Sequence, residues 1–188
     1  MTFWLTLAGV LLLLAAIPRI RCFFKRMSLC IRLKQVCRRR EFHLIGTHPL
    51  WMLGHKRGSA CDFYVETSGS VWAVKLFGMA RKNDALVFNQ TGRYFVRHFA
   101  AFISYGSTVR IPIESKARSL PAYDFRRNYH MEWEIKTPRP VLLVHPTCRE
   151  IHRQPQSGGE TIIGAGDVVN GMEVFSLTRL ISALEGEL

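Results

Sequence analysis

The residues with the most chemical potential lie in DFYVETSGSVWAVKLFG, positions 62 to 78. Ser68-Gly69 is a turn signal between two runs dense in aromatic and β-branched residues, so the stretch reads as a β-hairpin. With that pair at the centre of the turn, Glu66 stands opposite Val71, Tyr64 opposite Ala73 and Asp62 opposite Lys75. Side chains two apart on a strand share a face, which puts Asp62, Tyr64, Glu66, Val71, Ala73 and Lys75 on one side. A carboxylate facing an ammonium has two uses. It can close the hairpin as a cross-strand ion pair contributing about 0.2 to 1 kcal/mol. It can also offer oxygens to a hard divalent cation while the lysine meets charge on a phosphate.

This hairpin resembles the restriction-endonuclease-like superfamily, and within it most closely the nuclease-related domain of bacterial membrane-associated proteins. In that family an acid begins one strand, a short turn follows, and the next strand ends in Glu-x-Lys before a small apolar-glycine stretch. Asp62 matches the first acid, Lys75 the lysine and Leu76-Phe77-Gly78 the trailing stretch, while the position of the second acid is Ala73. The resemblance extends to the order of a VLLVHP strand, a loop, a MEVFSL strand and a terminal helix, over residues 41 to 184. It implies Asp62 and Lys75 as catalytic residues, with Asp62 as metal ligand to Mg or Mn. Tyr64, Glu66 and His145 are the accompanying binding candidates. Two carboxylates are needed to hold the ion, and Ala73 supplies no oxygen. Glu66 stands four residues from Asp62, about 13 Å along a strand. An acid from elsewhere, such as Glu41, would have to complete the site.

Other constellations carry less. Seven histidines are scattered without ligand spacing, and His145 follows the VLLV run at the carboxyl end of its strand. The five cysteines, Cys22, Cys30, Cys37, Cys61 and Cys148, form no CxxC pair and fit a reducing compartment better than zinc. Gly164-Ala165-Gly166-Asp167 lacks the rest of a phosphate loop and reads as a turn. Ser68 and Ser176 have no partnered His and Asp at interpretable spacing. Tyr94, Phe95, Phe99 and Phe102, interleaved with Arg93, Arg97 and His98, could stack bases, but they look more like the two faces of a half-buried strand.

The elements that position the hairpin follow from pattern. Ala85 to Phe88 and Arg93 to Phe99 form a second hairpin around NQTG. Thr108 to Glu114 alternates, with Val109, Ile111 and Ile113 on one face, and Pro112 marks it as an edge strand. Val141 to Val144 is an uninterrupted apolar run, read as a central strand covered on both faces. Met172 to Phe175 is one more short strand. Ser176 caps a final helix with Leu177, Leu180, Ile181 and Leu184 on one face. The residues from Lys116 to Thr137 show no clear period. The fold class expected is α/β or α+β, with a mixed sheet, β-hairpins and a C-terminal helix behind an N-terminal transmembrane helix.

That anchor is residues 1 to 17, MTFWLTLAGVLLLLAAI, which carry no charge. As a helix they would span roughly 26 Å, slightly short of a hydrocarbon core of about 30 Å. A cleaved signal peptide is the competing reading, but the basic n-region is missing and Ala15-Ala16 is a poor cleavage site. A buried core helix is the third. The net charge of +12 is unevenly placed: nine Lys/Arg and no acid fall between Pro18 and Arg40, while residues 41 to 188 hold 17 basic and 14 acidic residues. Arg19, Arg21, Lys25, Arg26, Arg38, Arg39 and Arg40 therefore read as a membrane-surface patch. The same cations put the body of the chain in the cytoplasm and the N-terminus outside, in a single-pass arrangement at the cell membrane. Over residues 18 to 40, Phe23, Met27, Cys30, Ile31 and Cys37 recur as in an amphipathic helix, either lying on lipid or packed as the first helix of the domain.

The expected function is that of a membrane-anchored cytoplasmic binding domain, residues 41 to 188, with a nuclease-like site that has lost catalysis. An active metal-dependent nuclease and a scaffold docking another membrane protein are the alternatives. The partners implied are the lipid bilayer, anionic headgroups, and nucleic acid or a membrane protein; Mg or Mn enters only with an active nuclease.

Overall fold

The computed structural model describes residues 23–24, 27–46, 61–78, 83–104, 107–120, 138–145, 148–155 and 158–186. The uncharged stretch 1–17, Arg19, Arg21, Lys25 and Arg26 lie outside the described residues, as do residues 121–137. Among the described residues no helix is long and apolar enough to cross a membrane.

The chain is a mixed α/β fold with two sheets. A helix, α1 (residues 27–40, with 23–24 also helical), precedes β1 (His43–Gly46), β2 (Phe63–Glu66) and β3 (Val71–Phe77). Then come β4 (Ala85–Asn89), β5 (Arg93–Ser104), β6 (Ser107–Glu114) and the short β7 (Arg118–Ser119). The chain continues through β8 (Pro138–Val144), β9 (Glu150–Gln154), β10 (Thr161–Ile162), β11 (Val168–Val169), β12 (Met172–Ser176) and α2 (Leu177–Glu185).

The first sheet runs β1-β2-β3-β8-β12-β11 and the second β10-β9-β4-β5-β6, with β7 on β5. β1, β2 and β3 form an antiparallel meander, and β8 then lies parallel to both β3 and β12. The hairpins of the second sheet are thus inserted between two strands that are neighbours in the first.

β8 explains its own sequence. Val141 and Leu143 point into a core shared with α1 and α2, while Leu142 and Val144 point into a second core shared with the other sheet. A strand covered on both faces has no position left for a polar residue, hence the unbroken VLLV. Each such side chain contributes about 1.5–3 kcal/mol on burial. The resulting layers are helices, first sheet, second sheet.

α1 packs into the domain. Leu29, Cys30, Leu33, Val36 and Cys37 are buried, four of them in one cluster with Phe63, Val65, Trp72 and Val74. Ile31, expected on the apolar face, is on the outer one. α2 buries Leu177, Leu180 and Leu184, with Ile181 packed at the margin. Ser176 stands at its N-cap in extended conformation but makes no side-chain cap bond.

β6 is the edge strand that Pro112 indicated. Its alternation did not translate into burial: Ile111 and Ile113 are about half exposed. β11 and β12 meet at Asn170-Gly171, both with positive φ (51° and 76°), the two-residue hairpin turn that Asn-Gly favours.

Candidate functional site

β2 and β3 pair as Phe63↔Val74, Tyr64↔Ala73, Val65↔Trp72 and Glu66↔Val71, the register set by a turn centred on Ser68-Gly69. The turn is closed by Thr67 N donating to Ser70 O at 2.9 Å and Ser70 N donating to Thr67 Oγ1 at 2.9 Å. Trp72 Nε1 then donates to Ser70 Oγ at 2.7 Å, tying the turn to the buried ring.

Asp62 stands one residue before β2 and extends the ladder with its backbone, Asp62 N donating to Val74 O at 2.9 Å. Beyond it, the next amide of β3 that faces β2 meets a side chain: Leu76 N donates to Asp62 Oδ2 at 2.7 Å. The same oxygen lies 3.7 Å from Lys75 Nζ. The two side chains are 2% and 7% exposed. The sequence reading assigned this pair the modest worth of a solvated cross-strand contact. Burial changes its energetics: losing one partner of a buried ion pair costs about 3–5 kcal/mol, although the intact pair is near neutral against an apolar replacement.

The face around the pair is closed. Cys61, Tyr64, Val71 and Ala73 form a buried cluster beside it. Tyr64 sits opposite Ala73. Ala73 is fully buried, at the position where the nuclease pattern has an acid.

The other candidates are spread out. Glu66 is at the far end of β2, paired with His43 and Val71. His145 follows β8, its N–H donating to Phe77 O at 3.0 Å. Since Lys75 pairs with Leu142, His145 lies three steps further, about 10 Å along the strand. Glu41, with φ of 58°, is exposed at the end of α1. α1 packs on Phe63, Val65, Trp72 and Val74, the residues that alternate with Asp62, Tyr64, Ala73 and Lys75, so Glu41 is on the opposite side of the sheet from Asp62. Arg38, Arg39 and Arg40 are exposed on α1. Among the described residues no group of three or more His, Cys, Asp or Glu is placed to hold a metal ion.

Three polar constellations in the structure had not been picked out of the sequence. Asp84, with a 3% exposed side chain, places Oδ1 2.9 Å from His98 Nδ1, while among the described residues neither its buried Oδ2 nor that ring nitrogen makes a hydrogen bond of good geometry. The hairpin register that pairs Ala85 with Arg97 already sets Asp84 opposite His98. Arg97 bridges Glu114 on β6 (2.7 Å) and Glu160 (2.6 Å). The paired hydrogen bonds raise the Arg97 pKa and lower that of Glu160. Arg139 lies 4.2 Å over the Trp72 ring and donates from Nε and Nη2 to both oxygens of Glu173. Tyr94 packs edge-on against Phe77 at 4.9 Å, with Phe88 nearby, as core and not as a stacking platform. Gly164 to Asp167 is a turn, Gly164 N donating to Asp167 Oδ2 at 2.7 Å.

Comparison with family models, curated proteins and solved structures gives no match.

Proposed function

We propose that the chain is a membrane-anchored, cytoplasm-facing binding domain built on a restriction-endonuclease-like hairpin that no longer cuts. One observation carries this reading: the oxygen that would serve a metal, Asp62 Oδ2, accepts the Leu76 N–H at 2.7 Å and faces Lys75 Nζ at 3.7 Å inside a buried face. A hard divalent cation there would have to displace a strand-ending hydrogen bond and the lysine together. The second carboxylate of the pattern is replaced by a buried Ala73, so these residues do not fit Mg or Mn. Asp62 and Lys75 then serve as the polar brace of the hairpin. The resemblance to the nuclease-related domain is supported by the order of acid, turn, lysine, β8, β12 and terminal helix.

The experiment is incubation of the full chain, in detergent, with plasmid and single-stranded DNA plus Mg or Mn. Intact DNA with retained or measurable binding is the expected result. Metal-dependent cleavage that disappears in Asp62→Ala, with the fold retained, would overturn the reading in favour of an active nuclease.

A further inference from the structure

The geometry points to the outer face of α1 as a docking surface for an anionic lipid bilayer, one that turns the helical layer of the domain toward the membrane. This rests on the membrane-anchored reading, and it divides the stripe the sequence pattern suggested: Ile31 stays on the surface with Arg38, Arg39 and Arg40, and Phe24 joins them. Phe23, Met27, Cys30, Ile31 and Cys37 were the expected lipid-facing stripe. Cys30 and Cys37 are instead consumed by the core, with Leu29, Leu33 and Val36.

What remains outside is a second stripe. Phe24 is 58% exposed and Ile31 49% exposed. Ile31 and Arg38 stand seven residues apart on α1, two helical turns less about 20°. At about 100° per residue that line lies roughly 140–180° around the helix from Leu29, Leu33 and Val36. Exposed Arg32, Lys34, Arg38, Arg39 and Arg40 flank it or follow it, and the helix carries no acid. Two large apolar side chains set in a field of cations suit an interface where rings and branched chains enter the headgroup region and guanidinium groups meet phosphates. Each Lys or Arg near an anionic surface contributes about fivefold in partitioning.

The occupant follows from charge and position. Nine Lys/Arg without an acid lie between Pro18 and Arg40, directly after the uncharged residues 1 to 17. A nucleic acid would share the charge preference and could stack on Phe24, but exposed Ile31 offers it nothing, whereas both side chains suit a bilayer next to the uncharged residues 1 to 17. With α1 on the bilayer, the second sheet lies on the far side of the first, away from lipid.

The test uses the full chain in detergent, in zwitterionic bilayers and in bilayers containing anionic phosphatidylglycerol, labelled by a water-soluble amine reagent and read by mass spectrometry. Lys34 on α1 is compared with exposed Lys116 beyond β6. Labelling of Lys34 relative to Lys116 should fall severalfold in anionic bilayers alone. It should return to the detergent value in Ile31→Asp and in the double variant Arg38→Glu, Arg39→Glu, all at exposed positions where folding is unaffected. Equal labelling in all three settings, or equal protection in both bilayers, overturns the proposal. An alkaline wash separates the two readings: release of the chain removes the anchor, whereas a retained chain with fully labelled Lys34 removes only the docking of α1.

Discussion

Asp84 Oδ1 lies 2.9 Å from His98 Nδ1 across the β4–β5 ladder, with the carboxylate 3% and the imidazole 34% exposed. A buried carboxylate with one oxygen close against an imidazole, and no hydrogen-bond partner for the other among the described residues, depends on that imidazole. His98→Ala should therefore destabilise by about 1–3 kcal/mol, less than a fully buried pair because the ring is partly solvated. Asp84→Asn should cost less, since it removes the charge that needs a counterion. Chemical denaturation of both variants, with unchanged slope, checks the order.

The Asp62–Lys75 pair should show the asymmetry of a buried ion pair. Asp62→Ala strips Leu76 N–H of its acceptor and Lys75 of its carboxylate, and should cost about 3–5 kcal/mol. Lys75→Met leaves the Leu76 bond intact and should cost less. The double variant Asp62→Ala, Lys75→Met should cost clearly less than the sum of the two single losses, because it removes the buried charge together with its counterion. A double-mutant cycle by urea unfolding measures the coupling, and additive losses would count against the pairing.

Restoring the acid of the nuclease pattern should not restore chemistry. Ala73 is fully buried opposite Tyr64, so Ala73→Glu should destabilise by about 3 kcal/mol or more through overpacking and a buried charge. Thermal unfolding reads the cost. Metal-dependent DNA cleavage gained by Ala73→Glu would instead mark the hairpin as a nuclease site that lost one ligand.

Burial pushes the Cys37 and Cys148 thiols up to about 11 from 9.0, and raises Cys30 as well. At pH 8 these thiols should resist iodoacetamide in the folded chain and react on denaturation. The linkage has a definite sign. Above the unfolded value of 9.0 the unfolded chain binds fewer protons than the folded one, so stability is full below pH 9 and falls as pH rises toward 11. Denaturant midpoints across that window test it.

Arg97→Ala should free β6 and the β10 edge together, because one guanidinium holds Glu114 and Glu160. A loss of about 1–2 kcal/mol is expected after allowing for solvent. The Arg97 hydrogen bond depresses the Glu160 pKa. That contribution is present above the ordinary carboxylate range and disappears as pH falls through the depressed value, so wild type and Arg97→Ala should converge in acid.

Local pattern was enough for much of this. Ser68-Gly69 dictates the β2–β3 register, because a two-residue turn leaves one way to match the flanking residues. The apolar run from Val141 to Val144 announced a doubly covered strand, and Ser176 the start of α2. Asn170-Gly171 was an equally plain turn signal between Val169 and Met172, but its strands are too short to show a period. Extending the NQTG hairpin by one pair would have revealed Asp84 beside His98.

Period alone cannot say which of two faces is covered, or by what. Ile31 and Ile111 sit in well-formed alternations and are exposed, while Leu29, Leu33 and Val36 fill the core. Asp62 and Lys75 faced each other in the primary structure, yet whether they form a solvated contact or a buried brace depends on packing contributed from far along the chain. β3 meets β8 across 67 positions, Val71 pairing with Pro138. Turn chemistry and side-chain alternation act over two to four residues and are written in neighbouring letters. Burial, parallel pairing and the electrostatic environment of a carboxylate are long-range, and only the assembled layers of helix and two sheets set them.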